Sequence, residues 1–143
     1  MKQTSIMLGA LAVVALTQAG CATQVKSLPM PAVTAQPASG TAVAVYFGSQ
    51  AHPAVQRQLG EVSYSVRVAR ASGGPEASCA KALADALDKL RDNARASGAN
   101  AVINVTTRFH STVSDSSTGY TCGVSPSAAA LAVKGERVVL QTN

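Results

Sequence analysis

Any chemistry in this 143-residue chain must come from a short inventory: three cysteines, two histidines and seven carboxylates. Cys21, Cys79 and Cys122 lie too far apart for a C-x-x-C motif, so a thioredoxin-like redox centre lacks its signature. His52 and His110 would complete a Cys₂His₂ set with Cys79 and Cys122. The intervals of 27, 31 and 12 residues, however, put no two ligands on one turn or hairpin. Gly123-Val124-Ser125-Pro126-Ser127 approaches the nucleophile elbow G-x-S-x-G, but it ends in serine and has proline where the chain must turn into a helix. Asp85, Asp88 and Asp92 recur at helical spacing and read as a solvated flank, with support from Lys89, Arg91 and Arg95. The inventory therefore predicts a non-enzymatic protein with no catalytic residue and no cofactor, leaving His52 and His110 as weak metal candidates.

Composition narrows the class further. Apolar residues make up 47% of the chain and charged residues 13%, which excludes an acidic disordered tail, a collagen-like repeat and a polytopic membrane protein. Twenty-seven residues are alanine and only five are aromatic, so the core must pack on Val, Leu and Ala. The net charge is +5, but no basic run exists and no aromatics are interleaved with basic residues. The footprint of nucleic-acid binding is absent.

The amino terminus reads as an address. Lys2 precedes an apolar run from Ile6 to Leu16, about 16 Å as a helix and thus roughly half a bilayer core. That length fits a signal-peptide core and falls short of a membrane span. Gln18-Ala19-Gly20-Cys21 then resembles a bacterial lipobox, with Gln18 in place of the usual Leu. Residues 1–20 are the expected lipoprotein signal peptide, and Cys21 the expected first mature residue, carrying a diacylglyceryl thioether and an N-acyl chain. Two or more chains make anchoring stable. By resemblance to proteobacterial lipoproteins, Ala22 after the cysteine points to the outer membrane, with the domain facing the periplasm. Cleavage after Ala19, giving a soluble periplasmic protein, is the alternative. With Cys21 set aside, Cys79 and Cys122 form an even pair in an oxidising compartment and predict a disulfide. A metal-binding or reactive thiol pair and two free cysteines are the other readings.

The elements follow from pattern. Residues 21–41 hold Pro29, Pro31 and Pro37 and no period, and predict a lipid-anchored linker. Residues 42–143 are the expected domain. Val43, Val45 and Phe47 alternate as a short strand, and Val62, Tyr64, Val66 and Val68 line one face of a second. Pro75 and Glu76 open a helix whose Ala80, Leu83, Leu87, Leu90 and Ala94 form an apolar seam, and Gly98 stops it. Ala101–Thr107 reads as a central strand, 111–118 as a polar loop, and Tyr120–Val124 as another strand. Ala128–Leu140 closes the fold with one or two strands and a bend or bulge at Gly135. The order β-β-α-β-β-β predicts an α+β domain, one helix on a small, largely antiparallel sheet.

Landmarks spread over the domain carry a resemblance. They are Tyr46-Phe47-Gly48, His52-Pro53-Ala54-Val55, Leu59-Gly60-Glu61, Cys79 at the helix start, the run from Gly98 to Val105, Tyr120-Thr121-Cys122, and Leu131–Leu140. In this order they resemble a family of small exported bacterial proteins often mislabelled as excinuclease ATPase subunits. The label does not fit this chain, which lacks a G-x-x-x-x-G-K-[ST] phosphate loop. More distantly, the chain is similar to RcsF-type outer-membrane lipoprotein sensors and to YbjQ-like proteins named as heavy-metal binders. Those families supply no catalytic residue to transfer, and an RcsF-like protein carries more cysteines than the two in this domain. The resemblance implies a binding or sensory domain with an envelope-protein partner. The alternative is a periplasmic metal-binding or thiol redox module using Cys79, Cys122 and a histidine.

Overall fold

The computed structural model describes residues 22–31 and 42–142. The expectations for the signal peptide, for Cys21 and for residues 32–41 lie outside these residues. The described chain forms β1 (Gln24–Pro29), β2 (Ala44–Phe47), β3 (Val55–Ala69), α1 (Gly74–Ala96), β4 (Ala101–Phe109), β5 (Thr112–Ser114), β6 (Gly119–Val124) and β7 (Ala128–Leu140). One helix and a seven-stranded, mostly antiparallel sheet make an α+β fold.

The thirteen-residue β7 is the spine. Along one edge it pairs antiparallel with β3, from Ala69↔Ala128 to Val55↔Leu140. Its other edge is shared, with β6 meeting Ala129 and Ala130, and β4 meeting Ala132 to Val138. Beyond β4 lie β2, in parallel, and the short β5, while β1 closes the far side of β6.

α1 lies across one sheet face because its apolar spacing matches that face. Ala82, Leu83, Ala86, Leu87, Leu90 and Ala94 are buried against Val45, Phe47, Val66, Val102, Val105 and Leu131. The seam runs through Ala82 and Ala86, while the expected Ala80 is only half-buried. Gly73 caps the start without a side-chain bond. Ser78, wholly buried, ties that end instead: its hydroxyl accepts the Ala71 N–H (2.9 Å) and donates to the Gly74 carbonyl (3.1 Å). At the far end Gly98 takes φ +82°, and the N–H groups of Gly98 and Ala99 close on the carbonyls of Arg95 and Ala94. Glycine adopts that left-handed conformation without a Cβ clash, so the helix stops where the sequence predicts.

β4 and β7 both run on without a break because an irregularity is shared between them. Asn104 adopts φ +52° and the register shifts between Ile103 and Thr106, so β4 carries one extra residue. Gly135 sits opposite. A Cβ there would lie 2.6 Å from Val102 Cγ1 and 2.9 Å from Val105 Cγ2, so the bulge requires glycine. Residues 128–140 are therefore one strand rather than two.

Two segments differ from the sequence reading. Gln24–Pro29, assigned to the linker, is an edge strand with the register Gln24↔Val124 through Pro29↔Gly119. Its half-buried Leu28 packs onto the core beside Met30. The pairing comes from a strand about a hundred residues away, which local composition does not report. Within the 111–118 loop, Thr112–Ser114 folds back on β4 through a turn at His110, whose φ is +49°. Asn104, within the run read as a central strand, is exposed at the bulge.

Candidate functional site

The structure joins Cys79 and Cys122 in a disulfide across 43 residues, with Cα atoms 6.0 Å apart. It links the second turn of α1 to the middle of β6, and both side chains are fully buried. Beside it Tyr120 is almost wholly buried, and burial pushes its phenol above the usual value of 10.0, with the Glu76 carboxylate adding to the shift.

The histidines lie elsewhere. His52 donates from Nδ1 to the Pro53 carbonyl (2.7 Å) and packs edge-on to Tyr46, with ring centroids 5.6 Å apart. His110 stacks edge-on against Phe109, 4.3 Å between centroids. Among the described residues no three His, Cys, Asp or Glu side chains gather as a metal-binding group. Ser125 sits in the β6–β7 turn, where its hydroxyl accepts the Ala128 N–H (3.1 Å). Asp88 and Asp92 pair with Arg91 (3.6 Å) and Arg95 (2.9 Å) on the solvated helix flank, as the spacing predicts.

What sequence reasoning did not assemble is the sheet face opposite α1. One end of it carries its own small core, Ala101, Ile103, Val138 and Leu140, flanked by Ala44 and Tyr46. Asn100 seals this end, its side-chain amide exchanging two bonds with the Leu140 backbone (2.9 and 2.7 Å). The other end is open. Arg67 of β3 stands opposite Ala130 of β7, and Arg108 of β4 opposite Ala132. The two small alanines leave a trough of about 350 Å³ between the arginines, completed by Phe109 and His110. A second hollow of about 240 Å³ shares Arg67, Phe109, His110 and Ala130 and reaches Thr23, at the start of the described chain. Farther along, Lys134 pairs with Glu61 (3.2 Å), and Glu136 accepts a long bond from Asn104 (3.4 Å). The available signal was Arg67 on the polar side of the β3 alternation. The partner Arg108, 41 residues later, becomes its neighbour only through β7.

The second feature is an open edge. β3 pairs with β7 alone, and among the described residues no strand covers its other side. Arg137 braces the bulged part of β3 from β7, donating to the carbonyls of Leu59 (3.0 Å) and Gly60 (3.4 Å) and to Asn93 Oδ1 (2.9 Å).

Comparison with protein-family models, with curated proteins and with solved structures finds no match to this chain.

Proposed function

We propose that the chain is a non-enzymatic outer-membrane lipoprotein, anchored through Cys21, whose periplasm-facing domain binds an envelope protein in a manner resembling RcsF-type and YbjQ-like domains. The observation that carries this reading is the one-sided pairing of β3 over Val55–Ala69. An open strand edge is a row of unmatched N–H and C=O groups that a partner strand completes, and specificity then comes from alternate side chains. Supporting it are the lipobox-like Gln18-Ala19-Gly20-Cys21 and a disulfide suited to an oxidising compartment.

The test has two parts. Intact mass of the protein extracted from native membranes reads an acylated chain beginning at Cys21, and an unacylated chain rejects the anchor. Photo-crosslinking residues placed in turn at positions 61 to 67 then report the partner in living cells. Strand addition gives crosslinks from alternate β3 positions that step along one segment of one envelope protein. Crosslinks without that two-residue period, or none, reject the edge as the binding element.

A further inference from the structure

The open end of the helix-free face lies beside the start of the described chain, and this bears on what the face meets. β1 begins at Gln24, only three residues after Cys21, which is about 10 Å of extended chain. A lipid on Cys21 would thus hold the sheet close to the leaflet instead of at the end of a twenty-residue tether. Thr23 shares its hollow with Arg67, Phe109 and His110, so the same end of the sheet is nearest the anchor.

That end has the chemistry of a membrane-contacting surface. Val25 is 47% exposed and opposite Gly123, against which the Phe109 ring lies; Val113 is 58% exposed and opposite Arg108. Val113 is the ladder partner of Arg108, and Phe109 lines the trough with both Arg67 and Arg108. The carboxylates on this face are Glu61, paired with Lys134, Glu136, near Asn104, and Asp115, which lines a hollow with Asn104 and Thr106. Four of the seven acidic residues, Glu76, Asp85, Asp88 and Asp92, are on α1 instead. Apolar side chains that enter the headgroup boundary, surrounded by cations that meet phosphates, are the features that keep a protein on an anionic bilayer.

We infer that the helix-free face docks on the leaflet holding the Cys21 lipid, with Arg67 and Arg108 on headgroup phosphates and Val25, Phe109 and Val113 at the acyl boundary. The inference rests on the proposed anchorage. It leaves the β3 edge open sideways, parallel to the membrane.

The chain contains no tryptophan, so a single introduced indole reports its own position. Acylated protein carrying Val113→Trp is reconstituted in phosphatidylethanolamine–phosphatidylglycerol vesicles containing a headgroup nitroxide lipid. Val25→Trp is a second reporter on the same face, and Ala84→Trp on the exposed side of α1 is the reference. Docking gives strong quenching at positions 113 and 25 and little at 84, weakening as salt is raised. Each cation favours an anionic surface about fivefold, so Arg67→Ala with Arg108→Ala lowers the docked-to-undocked ratio about 30-fold. Equal quenching at the three positions, or quenching that the arginine changes leave intact, overturns the inference. Co-flotation with the vesicles without quenching also overturns it and leaves the anchorage standing. Failure to co-float rejects the anchorage together with the docking.

Discussion

Removing the link between α1 and β6 tests how far a core so poor in aromatics stands on its own. Cys79 and Cys122 close a loop of 43 residues. In the chain-entropy model, a loop of that length restricts the unfolded ensemble by about 13 cal/mol/K, or about 4 kcal/mol at 25 °C. Whole small domains have about 5–15 kcal/mol of stability, so one bond supplies at least about a quarter of such a margin. The cleanest perturbation is reduction of the natural chain during refolding, because both sulfurs stay in place. Cys79→Ala with Cys122→Ala would add about 1 kcal/mol or more for each vacancy, since both side chains are fully buried. Urea unfolding followed by far-ultraviolet circular dichroism reads the result. With a slope of about 1.5 kcal/mol/M, the midpoint of the reduced chain falls by about 2.5 M, or the chain fails to fold. A shift below about 1 kcal/mol at unchanged slope refutes the reasoning. It would mean that the reduced unfolded chain already holds α1 and β6 together, leaving the crosslink no freedom to remove.

Leu87→Ala, at a position 1% exposed in the helix seam, costs about 2–5 kcal/mol in the same denaturation assay. Gly135→Ala places a methyl 2.6 Å from Val102 Cγ1 and lowers stability by about 1–3 kcal/mol; an unchanged midpoint would show that the bulge yields. Lys134→Ala breaks the exposed pair with Glu61 and changes stability by less than about 1 kcal/mol. Tyr120 gives a pH signature. Its folded phenol holds the proton above the usual value of 10.0, so the native state binds more protons than the unfolded one in that range. Stability is complete below pH 10, falls as pH rises toward the folded value, and in Tyr120→Phe loses that alkaline slope when the urea midpoint is followed from pH 8 to 11.

What was legible in the sequence is what is local. Val43, Val45 and Phe47 alternate and are buried, and the α1 seam and its Gly98 stop fall where spacing and backbone freedom put them. The Val62–Val68 alternation gave the centre of β3 but not its extension back to Val55. There the polar Gln56-Arg57-Gln58 is held by β7 and the register shifts twice. β1 escaped because Gln24–Pro29 has no alternation and a single strong strand former, Val25, and β6 supplies its strand state. β5 is three residues long, and its turn is set by the positive φ of His110, a residue that does not announce a turn as glycine would. The parallel pairing of β2 with β4 and the meeting of Arg67 with Arg108 across two alanines are consequences of topology, which no window of sequence contains.

The register Gln24↔Val124 also sets an order of events for a chain made amino terminus first. β1 emerges early, but its partner strand among the described residues is the last but one to arrive. Until β6 is made, β1 waits for its ladder and Cys79 for the Cys122 thiol, because Cys122 lies on the same late strand. Closing a hundred-residue loop adds an entropic delay to the wait for synthesis. Sheet completion and thiol oxidation are thereby tied to the arrival of residues 119–124. A chain truncated before them would be left with an incomplete sheet and with Cys79 lacking its disulfide partner.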